Sequence, residues 1–147
     1  MKRNRLPYPL LVVVFLMATC GDDDPSGPSP EEIAGSYEAT ALLFSDGEDQ
    51  RNLLQEGAFV DITMHADGTT EGDLFIPALT GGAPLQADLA GTWEVERDLV
   101  TFHPDAGTLL SDAPFLWGGD GVLGTRFYTE DGVLDLTLTR TGPAVVE

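Results

Sequence analysis

The chain has 147 residues with 25 acidic and 7 basic side chains, a net charge of −18 at pH 7, and a single cysteine. A single cysteine excludes an intrachain disulfide. Because a surface with this much negative charge repels nucleic-acid phosphates, we expect no nucleic-acid partner. The length allows one domain of about 110 residues besides a leader and a linker, a size that folds without disulfides.

The N-terminal segment has the pattern of an export leader. Residues 1–5 are basic and residues 10–18 are an apolar run of nine, shorter than the roughly 20 residues of a transmembrane helix. Residues 16–20 (LMATC), at the end of this run, resemble the lipobox of bacterial lipoproteins, from which Thr19 departs. The resemblance implies a lipoprotein signal peptide over 1–19 and lipid attachment at Cys20. The alternative is an ordinary signal peptide that ends near a cysteine.

Residues 20–32 are predicted to be a disordered tether. Residues 21–30 are aspartate, proline, glycine and serine only, and such a composition has nothing apolar to bury. Without its leader the chain keeps four arginines and no lysine against 25 acidic residues, a net charge of −21. The sequence therefore predicts a soluble domain held at a bacterial membrane, in the outer membrane or periplasm where the envelope has two membranes.

Residues 33–142 show short alternating apolar runs separated by Gly- and Asp-rich turns, the pattern of an antiparallel β domain. Residues 143–147 are predicted to be a C-terminal tail. Alternation in the first strand places Tyr37, Ala39, Ala41 and Leu43 on the inward side. The predicted strands are 36–44, 58–65, 69–77, 91–96, 99–103, 115–117, 122–130 and 133–140.

Three hairpins have registers that can be derived by placing apolar residues opposite one another. A three-residue turn at 66–68, a two-residue turn at 97–98 and a type I′ turn at 131–132 meet this condition. The resulting pairs are Val60 with Leu74, Trp93 with Phe102, and Phe127 with Leu136.

The order of these elements resembles the lipocalin-like domains found on bacterial lipoproteins. The segments that carry the resemblance are GSY at 35–37, ADGT at 66–69, GTWEV at 91–95 and DGVLDLTLTR at 131–140. It implies one all-β, antiparallel, up-and-down barrel of roughly eight strands over residues 33–142. It also implies a structural contact at the closed end between Tyr37 and Arg140, which fall on inward parity in the two strands that meet on closure.

A barrel of eight strands has room for its own side chains or for one small ligand. The resemblance implies a small hydrophobic ligand, and the inward residues proposed to contact it are Met64, Trp93, Phe102, Phe127 and Leu136. The alternative is a filled barrel that serves as a protein-interaction or envelope-structural module.

We predict no catalytic residue, no metal site and no cofactor, so the protein is not expected to be an enzyme. His65 and His103 fall on outward positions of different hairpins, and neither has a third ligand at metal spacing. Asp61 opposes Asp73, which raises the hypothesis of a calcium ion; two solvated carboxylates are the alternative. The oligomeric state is left open.

Overall fold

The computed structural model describes residues 27–79 and 82–143. Cys20, the leader and most of the predicted tether lie outside this part of the chain. Neither helix within it is long and apolar enough to cross a membrane. The elements are α1 (Pro30–Ile33), β1 (Gly35–Ser45), β2 (Gln50–Asn52), the 3₁₀-helix η1 (Leu53–Glu56), β3 (Phe59–Met64), β4 (Thr69–Ile76), β5 (Leu85–Asp88), β6 (Gly91–Glu96), β7 (Leu99–Pro104), β8 (Pro114–Trp117), β9 (Val122–Thr129) and β10 (Gly132–Pro143).

Eight of the ten strands in the described residues form a closed antiparallel barrel. Their order is β1, β3, β4, β6, β7, β8, β9, β10, and β10 pairs back onto β1. The short strands β2 and β5 are additions that pair with β1 and β4. This confirms the predicted fold class. We call the end where β1 begins and β10 ends the base, and the opposite end the mouth.

The first two predicted hairpin registers are confirmed, and the third is wrong. Val60 faces Leu74 and Trp93 faces Phe102, but Phe127 faces Leu134 instead of Leu136. The turn is formed by Glu130 and Asp131, neither of which has a positive φ. Gly132 is needed inside the strand instead, because a Cβ there would lie 2.2 Å from the carbonyl oxygen of Ser45 in β1. Close approach of two strands and a φ of +155° within β10 both favour glycine at this position.

The predicted inward face of β1 is correct only at its start. Tyr37 is buried, but a β-bulge between Ala39 and Ala41 shifts the pairing with β10. A bulge adds one residue to the strand and so exchanges its two faces. Leu42 and Phe44 are therefore buried, and Leu43 is not among the fully buried residues.

The last residues of the predicted tether are ordered, so the prediction of disorder is wrong for them. Ser29 caps α1: its hydroxyl accepts from the Glu32 amide and the Glu32 carboxylate accepts from the Ser29 amide. This capping box satisfies two free amides of the first turn. Ile33 is completely buried, so α1 closes the base of the barrel.

Candidate functional site

The five residues proposed to bind a ligand lie in the barrel interior, where they pack into one core cluster. Four of them are buried, and Phe127 is partly buried against the same cluster. Phe115 packs between Phe102 and Phe127, with edge-to-face ring separations of 4.9 and 6.2 Å. Such aromatic contacts stabilise a core beyond the area that they bury.

Other large side chains complete the filling, and the alternation of apolar residues did not identify all of them. Leu53 of η1 and Leu110 of the loop after β7 are both fully buried at the mouth. Neither belongs to a strand, so an alternating pattern could not indicate them. Both ends of the interior are therefore occupied, by Ile33 at the base and by these two leucines at the mouth.

Arg140 lies at the base between two aromatic rings. Its guanidinium carbon is 5.6 Å from the centre of the Tyr37 ring and 5.5 Å from that of Trp117, so the predicted contact with Tyr37 is present. Nε and an Nη atom of Arg140 also donate to the Tyr37 hydroxyl at 3.3 and 3.2 Å, and the same Nη atom donates to the carbonyl of Glu32.

The Tyr37 hydroxyl donates in turn to the carbonyl oxygen of Ile33. Burial raises the pKa of Tyr37, and the hydrogen bond and charge of Arg140 oppose that rise. The hydroxyl therefore remains neutral and joins β1, β10 and α1 in one network. This cluster closes the barrel and offers no exposed reactive group.

His103 lies on the outer surface between two carboxylates. Its Nδ1 is 2.8 Å from Oδ1 of Asp112, and its Nε2 is 3.4 Å from Oε1 of Glu94. Hydrogen bonds to Asp112 and then to Glu94 raise the pKa of His103 above its usual 6.5. His65, on another hairpin, has Nε2 3.5 Å from Oε1 of Glu71. The two histidines thus occupy separate outward positions.

His103 is expected to make stability depend on pH. Because its folded-state pKa is raised, its contribution is complete below the unfolded pKa near 6.5 and is lost as pH rises through the folded value. The melting temperature should therefore fall as the pH rises above about 6.5, and this fall should be smaller in His103→Gln. A Glu71→Gln variant, which removes the partner of His65, is the matched control. An identical pH profile of the wild type and His103→Gln would contradict this assignment.

Four carboxylates form a row across neighbouring strands of the outer surface. Glu38 faces Asp61, Asp61 faces Asp73, and Asp73 faces Asp88. Like charges opposed across strands are destabilising. Among residues 27–79 and 82–143, no group of three or more histidine, cysteine or acidic side chains is arranged to hold a metal ion. The calcium hypothesis therefore gains no support from this row.

No protein-family model matches the chain, and comparisons with curated proteins and with solved structures find no match. The fold is compatible with a lipocalin-like barrel on its topology alone.

Proposed function

We propose that this protein is a lipid-anchored module of the bacterial cell envelope that acts through its outer surface, because its barrel is filled by its own side chains. The packed interior of the barrel is the main support for this proposal. Phe44, Met64, Phe102 and Phe115 are among its large residues that are at most 1% exposed. A barrel of this size then has no need of a ligand to complete its core.

The interior polar groups support the same proposal. Nε1 of Trp93 donates to the carbonyl of His65 at 2.8 Å, and the Thr70 hydroxyl donates to that of Leu89 at 2.8 Å. Within the described part of the chain, no buried side-chain nitrogen or oxygen lacks a hydrogen-bond partner. Binding pockets usually present a few polar groups that orient the ligand, and here these groups bond to the protein itself.

The lipid anchor is the second half of the proposal and depends on Cys20. The apolar leader, the cysteine that follows it and the absence of a second cysteine in the sequence all support acylation at this position. A net charge of −21 on the mature chain would keep the domain soluble beside the membrane and would favour a partner with basic side chains.

A second candidate function is the binding of a small hydrophobic molecule, and a hollow at the mouth favours it. This hollow has a volume of about 230 Å³ and is lined mainly by apolar residues, among them Ile76, Leu85 and Leu109. It is smaller than the 300–1,000 Å³ typical of small-molecule sites. The filled core is therefore the better supported basis for function.

Mass spectrometry of the full chain, purified from bacterial membranes without exchange of lipid, tests both the lipid anchor and the filled barrel. We expect a diacylglyceryl mass on Cys20 and no stoichiometric small molecule after organic extraction. Phe102→Ala is the matched control for the core: it should create an apolar cavity that takes up benzene, as emptied cores do, whereas the wild type should not. An unmodified Cys20 would refute the anchor, and a stoichiometric extracted molecule would refute the filled barrel.

A further inference from the structure

Two leucines are exposed side by side on the outside of the barrel near its base. Leu99 in β7 and Leu116 in β8 face each other across the strands, and they are 43% and 52% exposed. Leu116 also faces Gly124 in β9, where a Cβ would meet no atom within 4 Å. An open cleft of about 600 Å³ therefore lies beside Leu116, and Gly124 and Val122 are among the residues that line it.

The described part of the chain begins on the turn next to these leucines. A Cβ on Gly27 would lie 2.4 Å from the carbonyl oxygen of Arg97, so Gly27 packs against the turn between β6 and β7. Glu96, the last residue of β6 before this turn, pairs directly with Leu99. Gly27, the first described residue, thus packs on the turn that immediately precedes Leu99, at the base of the barrel.

The distance between the anchor and this surface is short. Seven residues, 20–26, precede Gly27, and even a fully extended chain of that length spans only about 25 Å. The ordered segment from Ser29 to Ile33 adds no reach, because it packs against the barrel. A lipid on Cys20 would therefore hold the leucine pair within a few nanometres of the bilayer surface.

We propose that Leu99 and Leu116 form a contact with the lipid surface that orients the anchored barrel base-first on the membrane. This inference rests on the proposed lipid anchor. Two partly exposed leucines bind a bilayer only weakly alone, but attachment turns the contact into an intramolecular event at high effective concentration. Because Glu96 and Asp98 outnumber Arg97 in the turn before Leu99, and the mature chain has a net charge of −21, we expect contact with zwitterionic lipid and weaker contact with anionic lipid.

Tryptophan quenching by brominated lipid tests the orientation. The mature chain is coupled through Cys20 to a maleimide lipid in phosphatidylcholine vesicles with brominated acyl chains, and Leu116→Trp is compared with Phe59→Trp. Phe59 is the matched control, since it is 40% exposed and starts β3 at the mouth. After subtraction of the wild-type signal, position 116 should be quenched about twofold or more beyond position 59.

The outcomes separate this inference from the anchor itself. Equal quenching at the two positions would overturn the base-first orientation. Absence of quenching at both would also overturn it and would favour a protein as the partner of the leucine pair. Addition of phosphatidylglycerol should lower the quenching at position 116 at low ionic strength. Because the lipid is attached chemically, these results hold whether or not a cell acylates Cys20, which the mass measurement decides independently.

Discussion

Replacement of Gly72 by alanine is expected to destabilise the barrel by about 2–4 kcal/mol. Gly72 lies in β4 with a φ of +148°, and a Cβ at this position would lie 2.1 Å from the carbonyl oxygen of Asp61 in β3. It would also lie 2.9 Å from Cα of Ile62. Both contacts are to backbone, so no side chain can rotate away, and the two strands would have to separate.

Gly124→Ala is the control for this substitution. Gly124 also lies in a barrel strand, but its φ is not positive and a Cβ there meets nothing within 4 Å. Its replacement should change the free energy of unfolding by about 0.5 kcal/mol or less. Urea denaturation of both variants measures the difference. Equal stabilities would show that β3 and β4 can separate at little cost, contrary to the packing described for Gly72.

Arg140→Ala should destabilise the protein by about 2–4 kcal/mol, from the loss of two cation–π contacts and of hydrogen bonds at the base. The substitution leaves the carbonyl of Glu32 and the hydroxyl of Tyr37 without their guanidinium partner. We expect α1 to loosen first, because Arg140 connects it to β10. Urea denaturation measures the total loss, and hydrogen exchange at the Ala34 amide, which donates to the carbonyl of Pro30, reports on α1.

Two further variants define the role of Arg140. Tyr37→Phe keeps the aromatic ring but removes the hydroxyl, so it should cost about 1–2 kcal/mol. Arg140→Lys keeps the charge but not the planar group that spans two rings and two acceptors, so it should recover only part of the stability. Full stability of Arg140→Ala, with unchanged exchange at Ala34, would show that Ile33 alone closes the base.

The hairpin registers show how far local information reaches. The pairs Val60–Leu74 and Trp93–Phe102 follow from turn length and alternation, because both strands and their turn lie within a short stretch of chain. The Asp131-Gly132 signal failed because Gly132 lies inside β10 and packs closely on Ser45, which is distant in sequence but adjacent in the sheet. A local rule cannot include such a neighbour.

The candidate site divides in the same way. The contact of Tyr37 with Arg140 was implied by the lipocalin-like resemblance together with strand parity, and the structure contains it. Trp117, on the other side of the guanidinium, was not expected. The exposed pair of Leu99 and Leu116 was also missed, because an alternating pattern does not reveal that two outward leucines become neighbours on adjacent strands.

Sequence patterns were enough to predict the antiparallel β class, the two short hairpins, the inward set centred on Trp93 and Phe102, and the acidic character of the surface. These properties depend on alternation, turn residues and charge, which act over a few residues. The folded chain was needed to show that the interior is filled, that a bulge reverses the faces of β1, and that Gly27 packs on the turn before Leu99. These features depend on neighbours that closure of the barrel brings together from distant parts of the chain.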